Sequence, residues 1–462
     1  MPHMKKDVVI ESLKSESDLN LGSRRKQWSD AYIDETTRHW LEEDEKYFLH
    51  QSLSTPCLNV LSGAKNTRIT DLQGRSYLDF HGNNVHQVGF GHPRVTEAIV
   101  KQMQELPFCP RRYTNIPAIK LAKKLSTLAP GDLNRVLFAP GGTSVVGMAL
   151  KLARTVTGRF KTISMWDSFH GASLDAISVG GEAIFRSEIG PLLPGTQQVP
   201  PPDPRHCPFG CGNQCNLKCA DYIEYVLEKE GDVGAVIAET VRSTPFIPSP
   251  EYWKRVRAAC DRHGALLILD EIPHCLGRTG KMFTCEHYGI VPDILLIGKG
   301  LGGGIFPLAA MIAREGLNVA QNKALGHYTH EKNPIAAAAA LATIEVIESE
   351  HLLEQVQKKG EYALERMRKM MNRHPLIGDV RGLGLLMGIE LVKNRETGER
   401  ACDEAEQILY RALSKGLSFK LTMGNILTLT PALTISEAEL DEAFNILDDA
   451  IGEVENGFPV SK

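Results

Sequence analysis

The sequence of 462 residues lacks any apolar run long enough to cross a membrane. Its longest apolar segment, IAAAAALATIEVI over residues 335–347, falls short of the roughly 20 residues that a bilayer requires and contains Glu345. The N-terminal segment, MPHMKKDVVIESLKSE, lacks the apolar core of a signal peptide. We therefore expect a cytoplasmic protein with no membrane partner.

An excess of positive charge is also lacking, because the net charge is -4 and the sequence has no long basic run. Both features argue against binding to nucleic acid or to an anionic membrane surface. Hydrophobic residues make up 42% of the chain and charged residues 23%, a composition that supports a large core and about two domains. We therefore expect a protein that acts on a small molecule.

A disulfide framework is not indicated, although the sequence has ten cysteines. Six are scattered singly, as expected for free thiols in a reducing compartment. The other four, in CPFGCGNQCNLKC, are evenly spaced four residues apart: Cys207, Cys211, Cys215 and Cys219. Zinc sites usually have two pairs of closely spaced cysteines with a longer segment between the pairs. A loop with buried thiols is therefore favoured and no metal is predicted. A non-catalytic metal-binding module built on this loop is the alternative.

Short apolar runs alternate with amphipathic stretches across the middle of the chain, as in RVLFA, GAVIAE, ALLILDE and DILLIGK. This alternation predicts βαβ units and an α/β fold, with a mostly parallel central sheet covered by helices and a smaller α+β domain. We expect an N-terminal arm and part of the small domain over residues 1–80. The large domain is expected over 81–335, and the C-terminal small domain over 336–462.

Three of the apolar runs end in a charged residue, namely Glu239, Asp270 and Lys299. Each is separated from the next by about 30 residues, which is the length of one βαβ unit. Because ligands of open α/β sheets bind at the carboxyl ends of the strands, we expect the three side chains to lie side by side there. Isolated charged residues are usually solvated, but three in register on buried strands indicate a site.

Lys299 lies in a glycine-rich stretch, GKGLGGG, that matches the G-x-G-x-x-G pattern of dinucleotide-binding loops. That pattern requires a helix to open at the last glycine, and here Gly304 and Pro307 disfavour a helix. The acidic residue expected about 20 positions later is also missing. We therefore interpret the loop as a seat for Lys299.

A second glycine turn lies in RVLFAPGGTSVVGMALKLARTVTG, which predicts a strand, a turn and a helix from near Thr143 to Gly158. The backbone amides of Gly142, Thr143 and Ser144 would form a phosphate seat at the start of this helix. Ordinary helix capping is the alternative. An amine, a carboxylate and a phosphate seat together fit pyridoxal 5'-phosphate (PLP) best. Phe169 of SFHGAS is a candidate to cover the cofactor ring, or else a core residue.

The segment LILDEIPHCLGRTGKMFTCEHYGIVPDILLIGKGLGGGIFPLAA resembles the Asp-to-Lys signature of the class III, or ω-amino acid, aminotransferase family of fold-type I PLP enzymes. The resemblance extends over about residues 50–450. It implies that Asp270 pairs with the ring nitrogen, that Ile272 packs on the ring and that Lys299 forms the Schiff base. It further implies that GGTS binds the phosphate, that Phe169 stacks on the ring and that Thr329 reaches the phosphate of a neighbouring subunit, so that a homodimer shares its active sites.

Departures from the family pattern bear on the reaction. The usual Ser-Glu-Ala-Asn reads Thr-Ser-Val-Val here, the usual Gln is Pro273, and the late arginine that binds a substrate carboxylate is replaced by Thr428. The segment DFHGNNVHQVGFGHP instead resembles the lyases of the family. The resemblance thus implies an ammonia-releasing lyase that eliminates a β-substituent from a small phosphonate- or phosphate-bearing primary amine. The alternative is an ω-aminotransferase that uses a keto acid acceptor.

A phosphonate tail would require hydrogen-bond donors and positive charge. The candidates for the positive charge are Arg111, Arg112 and Arg242, and ordinary surface arginines are the alternative. The amides of Asn83 and Asn84 are the further candidate donors.

Overall fold

The computed structural model describes residues 22–211 and 215–457. The chain divides into two units. The small unit comprises the described residues of Met1–Gly82, Val88–Gly91 and Gln355–Lys462, and the large unit comprises those of Asn83–Gln87 and His92–Glu354. The domain boundaries inferred from the sequence stay a prediction.

The strands, in chain order, are β1 (Leu61–Lys65), β2 (Arg68–Asp71), β3 (Ser76–Asp79), β4 (Leu133–Ala139), β5 (Lys161–Met165), β6 (Thr196–Val199), β7 (Val233–Glu239), β8 (Leu266–Asp270), β9 (Ile294–Ile297), β10 (Ala309–Arg314), β11 (Ile377–Leu383), β12 (Leu386–Asn394), β13 (Glu399–Arg400), β14 (Leu417–Ser418), β15 (Lys420–Thr422) and β16 (Ile426–Leu429).

The α-helices are α1 (Ser23–Tyr32), α2 (Glu35–Tyr47), α3 (Pro93–Glu105), α4 (Ile116–Leu128), α5 (Gly142–Thr157), α6 (Leu174–Val179), α7 (Ala183–Arg186), α8 (Lys218–Glu230), α9 (Pro250–His263), α10 (Pro334–Ser349), α11 (Leu352–Arg373), α12 (Cys402–Ser414) and α13 (Glu437–Glu455).

The large unit is built on a seven-stranded sheet with the order β4-β10-β9-β8-β7-β5-β6. Only β10 runs antiparallel to its neighbours, and the pairs from β9 to β6 are parallel. The central strands β7, β8 and β9 are buried almost throughout, because helices cover both faces of a parallel sheet and leave no solvated side. The predicted α/β fold with a mostly parallel sheet is confirmed.

Helix α5 packs its apolar face on this sheet, in a core that also contains Ile237 of β7 and Ile268 of β8. The helix ends where Gly158 adopts a left-handed φ of 67°, close to the predicted end. Helix α10 is alanine-rich and buried on most sides, and it packs against α3 and α4. Its N-terminus is capped by the Asn333 side chain, which accepts a hydrogen bond from the amide of Ala336 at 2.9 Å.

The small unit contains two sheets, with the orders β1-β2-β3-β14 and β11-β12-β16-β15. The hairpin of β11 and β12 corresponds to the predicted strand segment DVRGLGLLMGIEL. Helix α13 closes the unit and begins with a capping box, in which Ser436 and Glu439 satisfy each other's backbone amides. Of the predicted N-terminal arm, residues 1–21 lie outside the described part of the chain, and residues 22–50 contain α1 and α2.

All ten cysteines are free thiols. The evenly spaced four lie in the irregular segment between β6 and α8 or, for Cys219, inside α8, where the side chain is buried. Over residues 22–211 and 215–457, no group of His, Cys, Asp or Glu side chains is arranged to hold a metal ion. Over the same ranges, no helix has both the length and the apolar character needed to cross a membrane.

Candidate active site

The carboxyl edge of the large sheet brings the three predicted charged residues together. Glu239, the last residue of β7, pairs in register with Asp270, the last residue of β8. Asp270 in turn pairs with Leu296 of β9, and Lys299 follows two residues after that strand ends. The acid, the second acid and the lysine therefore occupy neighbouring strand ends, where open α/β sheets bind their ligands.

Lys299 starts a short 3₁₀ turn, Lys299–Gly302, and its φ is 48°. This left-handed conformation is uncommon for a residue with a side chain and costs roughly 1–3 kcal/mol. Strained residues of this kind concentrate at functional sites, where the surrounding structure holds them in place. No α-helix opens between Gly298 and β10, in agreement with the helix-disfavouring Gly304 and Pro307.

The glycines of this loop allow close packing. A Cβ atom at Gly300 would overlap the side-chain amide of Gln87. A Cβ at Gly303 would lie 2.6 Å from Cγ1 of Val95 and 2.8 Å from Oγ1 of Thr343. Side chains in the loop would therefore push Lys299 away from the sheet edge.

Asp270 is buried and hydrogen-bonded from two directions. Its Oδ2 lies 2.8 Å from Nδ1 of His170, and its Oδ1 accepts from the amide of Ile272 at 3.1 Å. With an ionised Asp270, the Nδ1 of His170 carries the hydrogen and donates it. Sequence reasoning missed His170, although it directly follows Phe169 in the SFHGAS motif. Within the described residues, its buried Nε2 has no hydrogen-bond partner.

Glu239 accepts backbone hydrogen bonds instead of pairing with a lysine. Its Oε1 accepts from the amide of Phe169 at 3.1 Å and its Oε2 from the amide of Ser243 at 3.4 Å. Burial raises the pKa of Glu239, while the charge of Arg242 acts in the opposite direction. Glu239 thereby fixes the backbone that carries Phe169, whose ring is 37% exposed and so is no core residue.

The second glycine turn opens helix α5. Gly141 is the N-cap, and its carbonyl accepts a hydrogen bond from the amide of Ser144 at 3.2 Å, whereas the amides of Gly142 and Thr143 precede the first hydrogen bond of the helix. A Cβ at Gly142 would lie 2.9 Å from Cδ1 of Ile272, so the amides come close to the chain just after Asp270. These free amides and the helix dipole suit a phosphate.

The Thr143 hydroxyl is engaged by its neighbours. Ser173 Oγ donates to the Asp175 carboxylate at 2.5 Å, so at the 2.5 Å contact between the two hydroxyls Ser173 must accept from Thr143. Thr143 Oγ1 also accepts from the amide of Ser173 at 3.3 Å. The hydrogen of Thr143 is thus committed, and Thr143 offers a phosphate its backbone amide, whereas Ser144 keeps a half-buried hydroxyl.

Two of the three arginines proposed as phosphonate ligands already have carboxylate partners. Arg242 is buried and forms an ion pair with the buried Glu182 at 2.7 Å. Arg111 pairs with Glu331 at 3.2 Å and donates to the carbonyl of Tyr328 at 3.0 Å. Arg112 is exposed. The charges of Arg242 and Arg111 are therefore already balanced by carboxylates of the same chain.

Asn83 and Asn84 both adopt left-handed conformations, with φ of 46° and 58°. Asparagine tolerates this region better than most residues. Asn84 is buried, and its Oδ1 has no hydrogen-bond partner among the described residues. Thr329, by contrast, is exposed in the single chain.

Two further residues bear on the chemistry. Glu271, next to Asp270, is buried and accepts hydrogen bonds from Thr240, Thr284 and Cys285 at 2.6–2.8 Å. Burial raises the pKa of Glu271 to about 7. In the small unit, Thr428 is buried and its hydroxyl lies 2.7 Å from that of Thr422, so this position provides no positive charge.

The residues at the sheet edge fit PLP. Lys299 would provide the amine that the cofactor aldehyde requires, and the buried Asp270, held by His170, would provide a carboxylate for the ring nitrogen. The amides at the start of α5 would form the phosphate seat, and the aliphatic side chain of Ile272 lies close to Gly142 in this turn.

Comparison with known proteins supports this assignment. The family model described as Aminotransferase class-III matches residues 50–451. The (R)-1-hydroxy-2-aminoethylphosphonate ammonia-lyase of Vibrio splendidus (strain 12B01) is 52% identical over 457 residues, which cover 96% of this chain and 95% of that protein. The leucine/methionine racemase of Thermococcus litoralis is 38% identical, over 90% of this chain and 96% of its own.

Among solved structures, a Bacillus anthracis aminotransferase superposes with a TM-score of 0.84 at 31% sequence identity. The superposition covers 90% of this chain and 98% of the other. The family match over residues 50–451 confirms the resemblance predicted over about residues 50–450. The superposition shows that the fold is also shared.

Proposed function

Because the chain belongs to the class-III aminotransferase family and is a PLP enzyme, we propose that it is an ammonia-lyase that converts (R)-1-hydroxy-2-aminoethylphosphonate to phosphonoacetaldehyde and ammonia. The similarity to the phosphonate lyase over nearly the whole chain supports this activity. Two observations carry it. Lys299 follows the strand that pairs with the strand ending in Asp270, which is hydrogen-bonded to His170. The uncharged Thr428 occupies the position where transaminases of the family bind a carboxylate.

When bound, PLP supplies a ring that accepts the electron pair left behind when the carbon bearing the substrate nitrogen loses a proton. Lys299 is the base for that proton in our proposal. Its position just after β9, held by the glycine loop, fixes the amine at the sheet edge beside Asp270. A positioned base of this kind typically contributes about 10²- to 10⁴-fold to the rate.

Asp270 keeps the ring nitrogen protonated, which a neutral side chain does not do. The hydrogen bonds from His170 and the Ile272 amide orient the carboxylate and stabilise its charge. His170 is thus a positioning residue. Phe169, whose backbone amide is bound by Glu239, covers the ring.

The elimination balances without a second substrate. The proton taken by Lys299 from the nitrogen-bearing carbon is returned to the departing hydroxyl of the next carbon, which leaves as water. The resulting enamine reacts with one water molecule and gives the aldehyde and ammonia. A keto acid is not consumed, so a cationic anchor for its carboxylate is unnecessary, and the absence of charge at Thr428 does not hinder the reaction.

The proposed activity is tested by following ammonia and phosphonoacetaldehyde from this substrate with no keto acid present. We expect many turnovers per active site at a constant rate. A single stoichiometric burst that resumes only after pyruvate is added would contradict the lyase and support an aminotransferase. The enzyme given pyruvate from the start is the control, and its ammonia release should be unchanged.

We also propose a homodimer with shared active sites. The large unit exposes apolar side chains around α3 and the start of α4: Val100, Met103, Phe108, Tyr113, Ile116 and Ile119. Exposed apolar surface of this kind suits a second copy of the chain. The exposed Thr329 lies in a segment that Arg111 binds through the Tyr328 carbonyl, so the same surface presents the residue proposed to reach the neighbour's phosphate.

The shared site is tested with Thr329→Ala, which should weaken PLP retention. Mixed dimers with a catalytically inactive Lys299→Ala chain have one site that combines an intact Lys299 with an intact partner Thr329. We expect that site to retain PLP like the unchanged enzyme. Retention no better than in the Thr329→Ala homodimer would contradict the contact between subunits.

We propose a cytoplasmic location. Its support is that none of the ten cysteines forms a disulfide bond, as is usual in a reducing compartment. Two of them, Cys275 and Cys285, are buried in the segment between Asp270 and Lys299.

A further inference from the structure

Gln87 carries a buried amide with no hydrogen bond. Its side chain is fully buried, and within residues 22–211 and 215–457 neither its Oε1 nor its Nε2 has a hydrogen-bond partner. A buried polar group without a hydrogen-bond partner lowers the stability of the folded state, and nearly all buried polar atoms of native proteins have a partner. A leucine or methionine would fill the same space without that cost, so the amide at this position indicates a ligand.

The amide lies against the lysine loop. A Cβ at Gly300, the residue after Lys299, would overlap the Gln87 amide, so glycine is required there for the amide to approach. Farther along the loop, a Cβ at Gly304 would lie 3.1 Å from the carbonyl oxygen of Val85. Segment Asn83–Gln87 therefore packs along the loop that presents Lys299, and a second buried oxygen without a partner, Oδ1 of Asn84, lies in the same segment.

The pair of unsatisfied atoms limits the chemistry of the ligand. An amide presents one acceptor and one donor group side by side. A phosphonate offers only acceptors and an ammonium only donors, so either would leave one atom of the amide unpaired. A hydroxyl donates one hydrogen bond and accepts another, and it matches both atoms.

We propose that Gln87 binds the hydroxyl group of the substrate and thereby selects hydroxylated amines. This inference rests on the proposed lyase function, in which that hydroxyl is the leaving group. By holding the hydroxyl near Lys299, Gln87 orients the bond that breaks relative to the carbon that loses its proton. Gln87 is therefore a residue for specificity and orientation, and the proton transfers are left to Lys299.

The first measurement is the apparent melting temperature of the substrate-free holoenzyme at a fixed scan rate. Gln87→Met removes an unsatisfied amide and keeps the volume, so we expect a rise of about 1–5 °C. The matched control is Gln102→Met on α3, where the buried amide donates to the carbonyl of Leu106 at 3.2 Å. That control should lower the melting temperature and leave activity unchanged. A lower melting temperature for Gln87→Met would mean that the protein or PLP already binds the amide, and it would overturn the proposal.

The second measurement separates the hydroxyl from the rest of the substrate. For Gln87→Met we expect kcat/KM with the hydroxylated amine to fall by about 10- to 100-fold, the loss of one or two buried hydrogen bonds. The dissociation constant of 2-aminoethylphosphonate, which has no hydroxyl, should stay within about twofold when it is measured by titrating the PLP absorbance. Equal losses for both compounds would overturn the assignment to the hydroxyl. If Gln87→Met fails to fold, Gln87→Leu is measured in the same way.

The proposal and the lyase function fail differently. If the unaltered enzyme releases no ammonia from the hydroxylated amine without a keto acid, the proposed function is wrong. If it does so and Gln87→Met retains the full kcat/KM, only the role of Gln87 is wrong.

Discussion

The two glycine turns of the large unit resemble each other in sequence and differ in what they expose. The turn at Gly141 and Gly142 follows β4 and opens the 16-residue helix α5, so it presents backbone amides. The turn from Gly298 to Gly304 follows β9 and makes only a four-residue 3₁₀ turn, so it presents the side chain of Lys299. Two glycine turns at one sheet thus present different groups, backbone amides in the first and the side chain of a lysine in the second.

The difference is caused by the residues after each turn. Thr143 to Thr157 contain good helix formers with an apolar face, which propagate a helix once it has started. After Lys299, Gly303 and Gly304 adopt φ of 69° and 74°, and Pro307 follows. Glycine content therefore predicts a tight turn. The ten residues that follow indicate whether the turn presents backbone amides at the start of a helix or a side chain.

The largest effect is expected at Lys299, the residue whose side chain the second turn presents. Lys299→Ala should abolish turnover and the absorbance band of lysine-bound PLP, because Lys299 is the lysine that follows β9, the strand paired with the one that ends in Asp270. Borohydride treatment followed by peptide mapping checks the attachment. The control, Lys281→Ala, removes an exposed lysine and should leave both properties unchanged. Cofactor still fixed by borohydride in Lys299→Ala would show that another lysine carries it.

The second largest effect is expected at Asp270. Asp270→Asn should keep the fold and lower kcat by roughly 10²- to 10³-fold, because the neutral amide does not stabilise a protonated ring nitrogen. Steady-state ammonia release and circular dichroism measure the two properties. Asp261→Asn, which removes the charge of an exposed carboxylate that pairs with Arg257 on α9, is the control. Near-normal rates in Asp270→Asn would refute the role of Asp270.

A smaller effect tests the packing of the second turn. Gly300→Ala should destabilise the protein by about 1–3 kcal/mol, because its methyl group overlaps the Gln87 amide. Gln87→Ala in the same chain removes the overlapping group and should restore part of that stability, as measured by denaturant unfolding in a double-mutant cycle. Additive effects of the two substitutions would show that Gln87 does not contact Gly300.

The smallest effect tests the first turn. Gly142→Ala places a methyl group 2.9 Å from Cδ1 of Ile272, and we expect PLP to bind about tenfold more weakly as the amides shift. Gly316→Ala is the matched control, since its Cβ meets no atom within 4 Å and the residue lies in the 3₁₀ turn Glu315–Leu317, outside the phosphate-binding turn. Dissociation constants from fluorescence titration of the apoenzyme distinguish the two. Equal affinities of both variants for PLP would show that Gly142 is not part of the phosphate seat.

The sequence was sufficient to predict the features that depend on local residue pattern and spacing. The apolar runs that end in Glu239, Asp270 and Lys299 predicted the sheet edge, because strand period and βαβ length are properties of contiguous sequence. The pairing of His170 with Asp270 and of Arg242 with Glu182 was missed. These partners lie 100 and 60 residues apart, and no local pattern specifies which side chains meet over such separations.

The same limit applies to hydroxyl groups and amides. Thr143 was a reasonable phosphate ligand from its place at a helix start, yet its hydrogen is committed to Ser173, 30 residues away. Gln87 has no sequence signal of its own, and its position becomes informative only when the missing hydrogen bonds and the approach to Gly300 are seen together. The roles of these residues stay predictions for the experiments above.

The close packing of Gly303 between Val95 and Thr343 has a consequence for motion during the reaction. A loop in such contact with two helices has no room to swing, so the backbone around Lys299 must stay in place while its amine moves between partners. The movement is then confined to the side-chain torsions of Lys299. Amide hydrogen exchange in the loop should accordingly be equally slow with and without substrate.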